Sequence, residues 1–243
     1  KTFKDNKLAI VSILNISAFV AFCSILYELI IAQCLSIVLG GSIIRYSFTI
    51  GSYLFCLGLG SLCIYFSQED LSFKRFFYVE CCLCLLGFLG PFWIFFTDFF
   101  FTFLLKSYEN LSLDYLKLIL MHMPIAAIGV LSGCEIPLLI QQAEQIQKKE
   151  IINKIVGVDF IFTFLGATLF PLFFLEQFDI IKIACLVSLL NSAVALYYCI
   201  KFKFFKNSHN WSRLFTILFV IILSCCFYSE NICLFLSRLL FVR

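Results

Sequence analysis

Residues 8–39 read LAIVSILNISAFVAFCSILYELIIAQCLSIVL, 32 positions with a single charged side chain, Glu28. A hydrocarbon core about 30 Å thick is crossed by roughly 20 consecutive apolar residues, because a helix rises about 1.5 Å per residue. This run therefore crosses a bilayer with length to spare. It follows Lys1, Lys4 and Lys7 as the apolar part of a signal peptide would. It is too long for that role, however, and lacks a small-residue cleavage pattern, so it reads as a retained span.

Six further apolar runs succeed it: residues 47–66, 76–96, 116–140, 155–175, 180–200 and 214–228. Hydrophobic residues make up 62% of the chain and charged ones 14%, with a mean hydropathy of +1.02, which leaves too little polar surface to cover a soluble globule. The expected fold is all-α, a polytopic transmembrane bundle forming one integral-membrane domain over residues 1–243. Seven helices are expected, or eight if the apolar piece 232–242 is completed as a span. Residues 229–243 read as that truncated span or as a linker toward a cytosolic domain.

Alternating spans place Lys1, Lys4, Lys7, Lys74, Arg75, Lys148, Lys149, Lys154, Lys201, Lys203, Lys206 and Arg213 on one side. Only Arg45, Lys106, Lys117 and Lys182 fall on the other before the final tail. Twelve against four puts the N-terminus and the basic loops in the cytoplasm by the positive-inside rule. A bacterial inner membrane is the expected location.

Four carboxylic acids lie inside these apolar runs: Glu28, Glu80, Glu135 and Asp159. Ionisable side chains are expensive in hydrocarbon and usually face a bundle interior or a cavity, so these four are the candidates for binding a ligand or a proton. The alternation puts Glu80, Glu135 and Asp159 in the cytoplasmic half and Glu28 in the outer half. A vestibule of carboxylates with aromatic faces, Tyr27 foremost and Tyr46 and Tyr53 beside it, suits a cation. Glu28 and Arg45 could alternatively form an ion pair that locks helix register. Glu80 and Asp159, near the starts of their apolar runs, have a structural alternative as partners of the helix dipole and interfacial water. Asn191 reads as an interhelical hydrogen-bonding residue. Thirteen cysteines sit among Leu, Ile and Phe with only two histidines in the chain, so they read as small hydrophobes and no metal site is expected.

Small residues mark close helix contacts in a membrane. Ser52, Cys56 and Gly60 recur every four residues with Gly51 and Gly58 beside them, which predicts a second span at the centre of the bundle. Gly90-Pro91 predicts a kink or break, with a re-entrant segment over residues 76–105 as one consequence. Gly166 and Pro171 predict a second irregularity. A faint internal symmetry also shows. Glu28 and Gln33 precede Gly58-x-Gly60 much as Glu135 and Gln141 precede Gly166, and an offset of three spans makes the halves antiparallel, as in inverted-repeat transporters.

Ser24-Ile-Leu-Tyr-Glu28-Leu29, continuing through Ala32-Gln33 to Gly40, resembles the opening helix of the membrane domain fused to bacterial spermidine synthase-like proteins. Arg45-Tyr-Ser47 with Leu57-Gly-Leu-Gly-Ser61 is similar to that family's glycine-rich second helix. Leu131-Ser-Gly-Cys-Glu135-Ile-Pro137 resembles its acidic span, and Gly157-Val-Asp159 with Leu165-Gly-Ala167 and Phe170-Pro171 the one after. The resemblance implies a polytopic domain preceding a cytosolic aminopropyltransferase domain, which would use decarboxylated S-adenosylmethionine. A nucleotide-binding domain needs a glycine-rich turn between a strand and a helix, and Gly40-Gly41, the one adjacent glycine pair, lies between two membrane spans. No cofactor is therefore expected in these 243 residues, nor any catalytic residue. The expected function is a noncatalytic membrane domain that holds such an enzyme and binds or passes a polyamine or related cation. An independent small-molecule transporter and a structural subunit of a membrane assembly are the alternatives. The bilayer is the expected partner, and no nucleic acid is.

Overall fold

A computed structural model describes residues 2–41, 43–66, 72–104, 111–146 and 151–201, together with the single positions 228, 231 and 234. The helices are α1 (Thr2–Leu39), α2 (Ile43–Phe66), α3 (Ser72–Phe99), α4 (Leu111–Ile146), α5 (Ile152–Leu169), a single turn α6 (Leu175–Gln177) and α7 (Ile180–Lys201). No strand occurs among the described residues. Six segments, Ala9–Leu39, Ile43–Phe66, Phe73–Phe103, Leu113–Ile146, Ile152–Gln177 and Ile180–Lys201, are long and apolar enough to cross a membrane, the property of an integral membrane protein. The expected seventh span at 214–228 and the piece at 232–242 lie outside the described residues, apart from the single positions named.

Each helix begins or ends where the apolar run meets polar or conformationally free residues. At the end of α1 the chain turns on Gly40, whose φ of +81° is a left-handed conformation that glycine adopts without a Cβ clash. Pro91 does not break α3, which passes through Gly90-Pro91 without interruption, so the re-entrant reading of this segment is not what the chain does. The irregularities come later, as wide π-turns at Phe100–Leu104 and Phe170–Phe174. The second contains Pro171. There the N–H of Leu175 donates to the Phe170 carbonyl five residues back.

α1, α3, α4 and α7 form the interior. α1 packs on α3, α4, α5 and α7, α3 packs on α4 and α7, and two buried clusters run along the bundle. α2 lies against α4 and has little contact elsewhere, so the glycine-rich helix expected at the centre is peripheral. Its stripe serves one crossing. A Cβ at Gly60 would fall on the Val130 carbonyl, one at Gly133 on the Leu57 carbonyl, and one at Gly129 would sit 2.9 Å from both Cys56 Cβ and the Tyr53 carbonyl oxygen. Gly51 and Gly58 face open space, and Ser52 donates to its own helix at Thr49 O (2.8 Å). The position of Gly58 two residues from Gly60 explains the contrast, since two steps of 100° carry it to the far side of the helix.

Polar ties reinforce the core. Pro124 supplies no N–H, so the Leu120 carbonyl one turn earlier loses its helical donor, and the Trp93 indole N–H of α3 donates to it at 2.8 Å. Near the same end of the bundle Lys117 donates to the buried Asp98 at 2.6 Å.

Candidate functional site

Glu28 on α1, Glu135 on α4 and Asp159 on α5 line one cavity of about 500 Å³, whose remaining wall is α2. That volume lies within the range of small-molecule sites, roughly 300–1,000 Å³. Its wall is mostly apolar, with Leu57, Ile136 and Pro137 among the lining residues, and no Lys, Arg or His is among the described residues that line it. Leu54 and Phe160, also in the wall, are exposed, so the cavity opens between α2 and α5. Glu28, expected in a different half of the membrane from the other acids, is thus brought into their company.

Every acid of the cavity has a hydroxyl one helical turn away on the same wall: Ser24 before Glu28, Ser132 before Glu135 and Thr163 after Asp159. Residues three or four apart share a helix face, so this spacing was a legible signal in the sequence that the acid-centred reading missed. Ser24 Oγ and the Tyr53 hydroxyl are 3.0 Å apart, which fixes the Tyr53 ring at the α1–α2 side of the cavity. Ser132, buried on the α4 wall, lies beside the Tyr53 hydroxyl. The site therefore holds carboxylate acceptors and hydroxyls, a set suited to ammonium donors.

Glu80 does not reach the cavity. It lies in the ninth position of α3, fully buried, rather than at an interfacial helix start. Its carboxyl group lies beside the Glu135 carboxyl group and the Asn191 side chain. Asn191 of α7 donates from Nδ2 to the Glu80 backbone carbonyl at 3.3 Å, while its own Oδ1 is left unpartnered.

Tyr27 faces away from the cavity. Successive residues of a helix diverge by about 100°, and Tyr27 points to α3 and α7, donating to Ser188 Oγ at 3.4 Å, while Glu28 points to α4 and α5. Its ring covers Gly87, where any Cβ would collide with it. Tyr53 takes the cavity position instead. The Arg45 guanidinium lies near Gly40, with Nη1 3.6 Å from where a Cβ of that glycine would stand. Gly40 is twelve residues beyond Glu28, about 18 Å along a helix axis. Gly166 of α5 lies at the α1 crossing, where a Cβ would meet Ile25 Cγ2 at 2.5 Å and the Phe22 carbonyl at 3.3 Å. No group of three or more potential metal ligands occurs among the described residues.

No family model matches the chain, and no solved structure matches it. Several curated proteins do. A polyamine aminopropyltransferase of Leptospira interrogans is 29% identical over 188 residues, 77% of this chain and 34% of its own length. Polyamine aminopropyltransferase 2 of Ralstonia nicotianae is 30% identical over 180 residues, 73% of this chain and 33% of its own. The Oceanobacillus iheyensis polyamine aminopropyltransferase is 28% identical over 182 residues, 74% and 33% respectively. The chain is a homologue of one segment of the polyamine aminopropyltransferases. It spans about a third of the length of the curated relatives it matches. Partial coverage of this kind, with six helices among the described residues long and apolar enough to cross a membrane, is consistent with the membrane domain of a fused spermidine synthase-like protein. In this aminopropyltransferase homologue the acids that line the cavity come from α1, α4 and α5, three of the four stretches on which the motif resemblance rested.

Proposed function

We propose that this chain is the noncatalytic integral-membrane domain of a spermidine synthase-like protein, holding an aminopropyltransferase domain at a bacterial inner membrane and binding a polyamine or related cation. The observation that carries the cation reading is the cavity itself, with Glu28, Glu135 and Asp159 on three helices and no basic residue among its described lining. Carboxylates within a bundle are retained where they meet a partner charge, and an organic ammonium supplies it. The excess of lysine and arginine in alternate loops supports a cytoplasmic N-terminus and cytoplasmic basic loops. Decarboxylated S-adenosylmethionine would be the co-substrate of the attached catalytic domain.

Two measurements test this. Sequencing the complete gene product should find a nucleotide-binding domain fused to these spans; its absence would remove the enzyme-holding role. Binding of labelled spermidine to the purified protein should be saturable, and E28Q and E135Q should weaken it while both variants stay monodisperse. Equal binding by both variants and the unaltered protein would remove the cation site. A transporter acting without an enzyme is the second reading, favoured by a ligand-sized cavity within the helix bundle.

A further inference from the structure

The six membrane-crossing segments pair in a pattern that repeats after three. α2 runs along α4 as α5 runs along α1, α3 packs on α4 as α7 packs on α1, and α1 meets α4 while α3 meets α7. Exchanging α1, α2 and α3 with α4, α5 and α7 returns each of these pairs. α1 also packs on α3 without a comparable α4–α7 contact among the described residues.

Individual residues obey the same exchange. Gly60 of α2 lies at the crossing with α4 beside Val130 and Gly133, and Gly166 of α5 lies at the crossing with α1 beside Phe22 and Ile25. The two glycines are 106 positions apart, and Glu28 and Glu135 are 107 apart. Across the α3–α7 pair, Asn191 meets Glu80 and Ser188 meets Cys84, so one contact is the image of the other. Directions agree as well. Trp93 and Asp98 of α3 meet Leu120 and Lys117 of α4 in reverse order, so α3 and α4 are antiparallel. Three consecutive crossings per half invert the second half relative to the first.

The cavity lies where the halves meet. Its walls are α1 with α4 and α2 with α5, two pairs that each map onto themselves, and its two deepest acids, Glu28 and Glu135, are counterparts. In transporters built from inverted repeats, the substrate site lies at the repeat interface, and rocking of one repeat against the other opens it to each face in turn.

We propose that α1–α3 and α4–α7 are inverted repeats related by an approximate twofold axis through the cavity, and that the cavity is a carrier site for a small organic cation, reached alternately from the two faces of the membrane. This rests on the cation reading above, and deepens it from binding to translocation. Each half supplies one member of the Glu28–Glu135 pair, so removing either should stop movement in both directions.

The test uses the full-length protein in liposomes with labelled spermidine outside. Unlabelled spermidine loaded inside should accelerate uptake several-fold by exchange, and E28Q and E135Q should each abolish the acceleration, while G58A, at a position facing open space, should preserve it. Saturable binding without uptake or exchange would overturn the carrier and leave the binding site standing. No binding by the unaltered protein would remove both. Exchange that survives in either glutamate variant, with that variant correctly inserted, would overturn the paired role.

Discussion

Gly133 of α4 stands directly against the backbone carbonyl of Leu57 in α2, so closely that the two helices touch main chain to main chain. Gly60 repeats the relationship against Val130. The peripheral α2 side of the cavity is held to the bundle by this crossing, and a side chain as small as alanine is too large for it.

G133A and G60A should therefore each push α2 away from α4 and lower stability by about 1–3 kcal/mol, the usual cost of overpacking a close contact. Thermal unfolding in detergent, followed by size-exclusion chromatography, reads this. G58A is the control. Facing open space in mid-helix, it should leave the midpoint unchanged or raise it slightly, since alanine favours the helix over glycine by up to about 1 kcal/mol.

The Trp93 indole bridges to a carbonyl that Pro124 leaves without a helical donor. W93F should cost about 1 kcal/mol through loss of that hydrogen bond. In a P124A background the Leu120 carbonyl regains its own helical N–H, so the same W93F change should cost less. A double-mutant cycle in thermal stability measures the difference, and equal costs in the two backgrounds would show that the bond does not answer the proline.

Span positions were legible because each needs only length and apolarity, and the helices fall on the runs read from sequence, extended at their polar ends. Which face of each helix looks inward was not. When nearly every residue is apolar, lipid-facing and core-facing positions have the same chemistry, and periodicity carries little information. The misplacements of Tyr27, Gly58 and the whole of α2 share that cause. Glu80 failed differently: α3 begins at Ser72, several residues before the apolar run, so an acid counted near a helix start lies well inside it. Where the sequence did speak was in acids and in hydroxyls one turn from them.

Substitution at the cavity should separate binding from folding. E28Q, E135Q and D159N each remove one negative charge from a wall with no described basic residue, and each should weaken spermidine binding by about tenfold, or about 1.4 kcal/mol. Unchanged affinity in all three, measured by equilibrium dialysis in detergent, would show that the cavity is not where the cation sits.

Glu80 predicts the opposite balance. Its carboxyl group is fully buried beside a second buried acid, Glu135, so E80M, which fills a similar volume with apolar atoms and removes one of the two, should leave stability unchanged or raise it by about 1–3 kcal/mol. A large fall in the unfolding midpoint would mean that the carboxyl group makes a contact essential to the bundle.

Because the three cavity acids belong to α1, α4 and α5, a cation held by all of them at once adds a charged brace to three rods that otherwise meet through packing. Its departure would release those rods to slide or tilt, and occupancy of a few ångströms of space would thereby govern the rigidity of the whole assembly.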